Sequence, residues 1–266
     1  MFSIAFLAAA ISMPAEPKSA LAGEQAEPAS DYNGEDFTRP LSKFQTRLEN
    51  KTSGTASKTD TLILYLQTQG VLDLDSGWDV SWFAELPVAS KSAPSHAVGL
   101  GDIELQAALF RPIDERWALG FGARFVVPTA KDMLGHGKWQ IMPLAGVRYS
   151  FLEFGSNTYF VPKVRYAVSI GGDSSRRSIS ELQFAPTLNI GLPNHWFVAL
   201  YPSFDIRMNF GDPVSGQTGR LFLPIDAAIG RKLGDNIVLT LEGSVPVIKD
   251  YPVYDYMVEL RVSARF

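Results

Sequence analysis

The chain has 266 residues, no cysteine, 24 Lys+Arg against 28 Asp+Glu and a formal net charge of −4. Without cysteine it builds neither a disulfide scaffold nor a Cys-ligated zinc or iron–sulfur centre, and without a basic excess it does not read as a nucleic-acid binder. Apolar runs of about 18 residues are absent, which excludes helical membrane spans, and an aromatic content of 12% argues against disorder. What remains is a large soluble β or α/β domain, or a membrane β-barrel, in which only every second strand residue meets lipid.

The stretch Phe2 to Met13 is apolar but too short to span a bilayer as a helix. Ser19-Ala20-Leu21-Ala22 and then Gly23 follow, a small-x-small pattern that suits signal peptidase. Residues 1–22 are therefore expected to be a cleaved signal peptide, although no Lys or Arg precedes the apolar run as that pattern usually requires. The alternative, a buried helix, would have nothing to pack with ahead of the Pro/Glu-rich stretch behind it. Residues 23–42 are polar and aperiodic and read as a loose periplasmic lead-in, with a turn at Asp31-Tyr32-Asn33-Gly34.

From Lys43 to Phe266 the dominant period is two, the signature of strands. Twelve segments follow: 43–50, 61–71, 78–88, 99–110, 117–128, 139–150, 158–170, 179–191, 196–209, 220–231, 236–247 and 253–266. In the fifth, Trp117, Leu119, Phe121, Ala123, Phe125 and Val127 share one face, and Ala118, Gly120, Gly122, Arg124 and Val126 share the other. The same sorting leaves the apolar faces almost free of charge until the segment ends, where Arg231 sits, and collects acids and bases on the opposite faces.

Alternation alone does not say which face points inward, since a soluble sandwich would bury the apolar one. Segment length favours the inverse, because most run 11 to 14 residues, enough for a tilted membrane strand of about 9–11. Aromatics gather near segment ends, with Trp78, Trp117, Trp139, Trp196 and Tyr254 as candidate membrane-interface residues and Trp82 as an exception. Pro143, Pro162, Pro186 and Pro202 fall on the apolar face and are expected to mark bulges or bends. Connections alternate between short and longer, as periplasmic turns and outer loops do. The fold class is thus all-β, a transmembrane antiparallel up-and-down β-barrel of about twelve strands over 43–266, with both ends on the periplasmic side.

The last segment alternates Tyr256, Val258, Leu260, Val262 and Ala264 and stops at Phe266. It resembles the C-terminal signal read by the outer-membrane barrel assembly machinery, which would be a partner together with outer-membrane lipid and lipopolysaccharide. The stretch Gly99-Leu100-Gly101-Asp102-Ile103-Glu104-Leu105 resembles the Gly-x-Gly-Asp-Ile/Leu motif of outer-membrane transporters associated with phenol meta-cleavage pathways. That resemblance implies passive uptake of small organic molecules. The plain reading of the glycines is relief of crowding at a barrel bend, and Gly-x-Gly opens a strand here, so it is not a dinucleotide fingerprint.

In length and strand number the chain also resembles outer-membrane phospholipase A, which pairs a His with a Ser two residues on. His96, His136 and His195 all lie in connections and none has that Ser. An enzyme is therefore not expected, and neither is a cofactor. Asp73 and Asp75 in Leu-Asp-Leu-Asp-Ser-Gly match a calcium loop only in part, so no metal is expected either. The charged faces, turned inward, make Asp102, Glu104, Arg124, Arg148, Lys163, Arg165, Asp205, Arg207, Arg220, Asp226, Glu259 and Arg261 lumen-lining candidates. Eleven acids against nine bases on these faces suggest pairing across the lumen, with Arg207 beside Arg220 or Asp226 and Glu259 beside Arg261 as candidates. The expected function is a channel or transporter for a small, aromatic or hydrophobic solute in a Gram-negative outer membrane. The alternative is a closed barrel with a structural or adhesive role.

Overall fold

A computed structural model describes residues 32–54, 58–74, 76–131, 133–155 and 157–266. The expected signal peptide, the first part of the lead-in and Asp75 lie outside these residues. In chain order the strands are β1 (Lys43–Ser53), β2 (Thr59–Leu74), β3 (Trp78–Lys91), β4 (Ala97–Leu100), β5 (Ile103–Pro112), β6 (Trp117–Val127) and β7 (Lys138–Ser150). After a 3₁₀ turn at Leu152–Phe154 come β8 (Tyr159–Gly172), β9 (Ser180–Gly191), β10 (Trp196–Leu200), β11 (Ile206–Asn209), β12 (Leu221–Leu233), β13 (Ile237–Lys249) and β14 (Tyr256–Arg265).

Neighbouring staves pair antiparallel, and β1 pairs β14 from Lys43↔Arg265 to Thr52↔Tyr256, which closes the sheet. β4 and β5 are halves of one stave against β3, and β10 and β11 are halves of another between β9 and β12. Fourteen segments therefore make a closed barrel of twelve strands. Closure leaves no unpaired edge, the condition for a sheet to sit in hydrocarbon.

The faces are inverted relative to a soluble domain. On β6, Ala118 and Val126 are buried while Trp117, Phe121 and Phe125 are 43–45% exposed. Charged residues behave the opposite way, and Glu85, Lys163, Glu181, Glu242 and Arg261 are all less than a tenth exposed. An apolar outer wall around buried ions is stable only where the outside is lipid. Trp117 and Trp196 stand at the end of the barrel that carries the short turns, with Trp78 partly covered beside them, and Trp139 stands at the loop end. Trp82 lies flat over Gly70, where an added Cβ would come within 2.6 Å of its indole nitrogen.

Three local expectations change. Tyr254 is not an interface residue, because it is fully buried and hydrogen-bonded to Asp205 (2.7 Å) and Ser244 (2.7 Å). It belongs to residues 250–255, which fold inward so that the last strand starts at Tyr256 rather than 253. Pro202 sits in the break between β10 and β11 and marks an irregularity, whereas Pro143 sits in a gap in the β7–β8 pairing whose register is the same on both sides, the shift in that pair lying at Trp139/Gln140. Pro162 and Pro186 instead face each other in regular register. Their missing N–H groups fall toward β7, where pairing is interrupted, and toward the β10–β11 break, so no ladder bond is lost.

The lead-in also differs from a loose tether. Its described part, residues 32–42, packs inside the barrel at the turn end, with Tyr32, Asn33, Asp36 and Thr38 buried. Its polar, aperiodic sequence is suited to partners that are themselves polar lumen residues.

Candidate functional site

The lumen is the candidate site, and its turn end is closed by residues 32–42. Asp36 is the centre of this plug. It accepts hydrogen bonds from the Thr38 backbone N–H and hydroxyl (both 2.8 Å) and pairs with the buried Arg148 of β7 at 3.1 Å. The Asn33 amide donates to Asn189 Oδ1 at 2.9 Å, and the Tyr32 hydroxyl donates to the Arg39 carbonyl at 2.6 Å. Burial pushes the Tyr32 phenol well above its ordinary range. Glu35 pairs with Arg261 (2.9 Å) and Lys43 (3.4 Å). Burial alone would raise its carboxyl, but these two cations hold it down at about 2. Phe37 is seated against Gly120 and Gly146, directly opposed across β6 and β7, where an added Cβ would approach its ring to 2.7 and 3.3 Å.

Above the plug the strand register places like charges opposite one another. Arg47 faces Arg261 and Glu49 faces Glu259 across β1–β14, Glu259 faces Glu242 across β13–β14, and Glu85 faces Glu104 across β3–β5. Diagonal pairs neutralise these rows. Arg47 reaches Glu85 (2.6 Å) and Glu259 (3.1 Å), while Arg261 reaches Glu259 (2.7 Å) and Glu242 (3.0 Å). Arg124 pairs with Glu104, and the Arg165 Nε donates to Gln183 at 2.6 Å. Buried charges left single would each cost several kcal/mol, roughly, so the ladder holds as a unit.

Between β10 and β11 the stave leaves the wall and folds into the lumen. Tyr201 has a φ of 50°. Its N–H donates to the Asp226 carbonyl (2.9 Å), and its carbonyl accepts from the Thr187 hydroxyl (2.7 Å). Lys163 donates to the Pro202 carbonyl at 3.1 Å. The Phe204 ring then lies 4.4 Å beneath the Arg165 guanidinium, which narrows the middle of the barrel.

Two cavities flank this neck. The one toward the plug has a volume of about 310 Å³ and is lined mainly by charged and amide side chains, with a minority of aromatic and apolar ones. The vestibule at the loop end has about 590 Å³ and adds Ile63, Pro87, Val126, Leu134, Met142, Ile179, Val214 and Val253 to its polar residues. Lys51, Tyr65, Glu104, Arg165 and Arg207 line both, so they form the neck.

The vestibule roof hangs on the Gly-x-Gly-Asp segment. The Gly101 N–H donates to the Pro87 carbonyl (2.8 Å) at the bend between β4 and β5, and an added Cβ would come within 2.8 Å of Pro87. Asp102 then accepts from the backbone N–H groups of Ala130 (3.1 Å) and His136 (2.7 Å), drawing the loop 128–137 over the mouth. Burial holds the His136 imidazole below its ordinary value, against the pull of Asp102. Arg177 ties two other loops together through the Tyr251 hydroxyl (3.0 Å) and the Asp212 carbonyl (3.1 Å). Burial pushes the Tyr251 phenol up to about 12.

Of the sequence-derived lumen residues, Glu104, Arg124, Lys163, Arg165, Asp205, Arg207, Glu259 and Arg261 line the inner cavity, and Asp102 lines the vestibule. Arg148 is buried against the plug, and Asp226 is buried at the wall beside the folded-in segment. Arg220 does not reach the lumen, because it is exposed at the loop end with its guanidinium 5.4 Å from the Phe210 ring. Arg207 pairs with Asp205 (3.1 Å) and Glu181 (3.7 Å) rather than Asp226, whereas the Glu259–Arg261 pair is present. All three histidines lie outside strands, His96 exposed in a loop, His136 at the vestibule and His195 in a turn. Among the described residues, one group of three carboxylates, Asp205, Asp226 and Glu242, converges closely enough to hold a cation. Sequence reasoning missed Phe37 and Phe204. The opposed lumen-facing glycines at 120 and 146 were the one signal pointing to a bulky occupant at the first.

No protein-family model matches the chain, and no curated protein matches it in sequence. Among solved structures it is similar to the COG4313 outer membrane channel from Pseudomonas putida F1, with a TM-score of 0.63 and 15% identity over 86% of this chain and 97% of that one. It is also similar to the β domain of the Bordetella autotransporter BrkA (TM-score 0.51, 12% identity, 85% and 100% covered). The NanC porin follows at TM-score 0.50 and 11% identity, with 84% and 98% covered. At these identities the likeness is one of fold, that of the outer-membrane β-barrels.

Proposed function

We propose that the protein is a channel for passive uptake of small molecules across a Gram-negative outer membrane, with aromatic or hydrophobic solutes favoured. The observation that carries this reading is the pair of cavities in series, about 590 and 310 Å³, joined at a neck of shared residues. A vestibule with a partly apolar wall suits the body of such a solute, and the rings of Tyr65, Phe83 and Phe204 continue that character into the polar inner cavity. In this reading the loop end faces outward and the short turns face the periplasm. The chain is exported through its N-terminal signal peptide, and the strand ending at Phe266 is the assembly signal. The protein is not an enzyme. Binding of lipid and lipopolysaccharide falls to the apolar belt and its aromatic rims.

Single-channel conductance in planar bilayers, with liposome swelling for uncharged aromatic solutes, tests the reading. Wild type should show small, resolvable openings, and a variant lacking residues 32–39 larger ones. If neither conducts and neither swells liposomes, the ion-paired neck is closed and the barrel is a scaffold.

A further inference from the structure

Asp205, Asp226 and Glu242 present carboxylate oxygens that all lie within 4.8 Å of one another. They come from three neighbouring places, the foot of the folded-in segment, β12 and β13, and each residue is at most 4% exposed. Known partners satisfy only part of the group. Asp205 accepts from Arg207 (3.1 Å) and the Tyr254 hydroxyl (2.7 Å), and Glu242 Oε2 accepts from Arg261 (3.0 Å). Both oxygens of Asp226 and Oε1 of Glu242 are buried without a hydrogen-bond partner. Buried carboxylate oxygens without donors are costly, and three in one cluster ask for a positive charge at its centre.

The nearby guanidinium groups are already committed. Arg207 is held by Asp205 and Glu181, and Arg261 by Glu35, Glu242 and Glu259. The set offers oxygen alone, which selects a hard cation, and its irregular geometry suits Ca²⁺ better than Mg²⁺, which demands a regular octahedron. Ser203 lies against both Asp226 and Glu242, its backbone N–H toward Asp226 and its side chain toward Glu242, and its hydroxyl oxygen can join the set.

We propose that Asp205, Asp226 and Glu242 bind one divalent cation, best matched by Ca²⁺, which ties the folded-in segment 201–205 to β12 and β13. Because that segment carries Phe204 into the neck, the ion also sets the width of the narrowest part of the lumen. The binding itself does not depend on the channel reading, whereas the effect on the neck does.

The test uses the full folded chain in detergent, stripped with EDTA and titrated calorimetrically with Ca²⁺ or Mg²⁺. Wild type should take up one Ca²⁺ per chain saturably and bind Mg²⁺ more weakly. Asp226→Asn and Glu242→Gln should each lower the Ca²⁺ affinity about tenfold or more. The heat-modifiable shift on gels verifies that each variant is folded. Folded wild type without saturable Ca²⁺ uptake overturns the proposal, as expected if the carboxylates instead share a proton, and so do two folded variants that bind like wild type. Conductance is read separately. Ca²⁺ should change it in wild type and not in Asp226→Asn, and a protein that binds Ca²⁺ but never conducts keeps the cation site and loses the channel.

Discussion

The two ends of the lumen are closed by different physics. At the turn end a piece of backbone continuous with β1 enters the barrel and is held by buried ions, with Asp36 on Arg148 and Glu35 on Arg261 and Lys43. At the loop end the cover is a set of neighbouring loops around a partly apolar vestibule, and Asp102 holds one of them, after β6, through two backbone N–H groups. A buried ion pair resists removal of either partner because the survivor is stranded in a poor solvent for charge. A loop pinned by hydrogen bonds to a carboxylate can reopen locally and exchange those bonds for water. The turn end is therefore the firmer closure and the loop end the more yielding one.

Breaking the plug should have the largest effect. Asp36→Ala strands Arg148 and should cost about 3–5 kcal/mol, read as a lower midpoint in heat-modifiability gels, together with larger single-channel conductance. An unchanged midpoint would mean that Arg148 finds another partner and that the plug is not electrostatically held.

Acid should release the same end more gently. The Glu35 carboxyl is lowered from 4.5 to about 2 in the folded protein, so its stabilising contribution is fully present above pH 4.5 and is lost as pH falls toward 2. Conductance should stay level from neutral pH down to about 4.5 and rise below it, and Glu35→Gln should flatten that acid limb. A rise centred near neutral pH in wild type would assign the gating to a different group.

At the opposite end, Asp102→Ala should free the loop 128–137 at a cost of about 1–3 kcal/mol. Limited proteolysis at Lys131 should quicken while the heat-modifiability midpoint stays close to wild type. A large global loss would show that this loop is as integral as the plug. The smallest effect belongs to the neck between them. Phe204→Ala removes one ring under Arg165, a contact worth roughly 0.5–2 kcal/mol, and should raise conductance modestly without altering either closure.

Several parts of this architecture are legible residue by residue. Alternation in 117–127 alone separates Phe121 and Phe125 from Ala118 and Val126, and the barrel exposes the first pair and buries the second. Strand limits such as 117–128 and 139–150 fall within a residue of β6 and β7. Residues with non-local partners were not legible. Tyr254 continues a period-two pattern, yet Asp205, 49 residues away, draws it inward. Arg220 has the alternation of a lumen residue but lies in a loop-end stretch where period two no longer fixes direction.

By itself the sequence determined the wall. Side-chain period is a local property of extended backbone, and long strands with one apolar and one charged face can be satisfied together only in a closed sheet surrounded by lipid. Tertiary structure decided what fills that wall. Whether residues 32–42 hang free or enter the lumen, which carboxylate meets which guanidinium, and where one stave folds in to bring Asp205 to Asp226 and Glu242 all depend on strand register and ring closure. Those bring together residues as far apart as Glu35 and Arg261, 226 positions, and no local pattern encodes such distances.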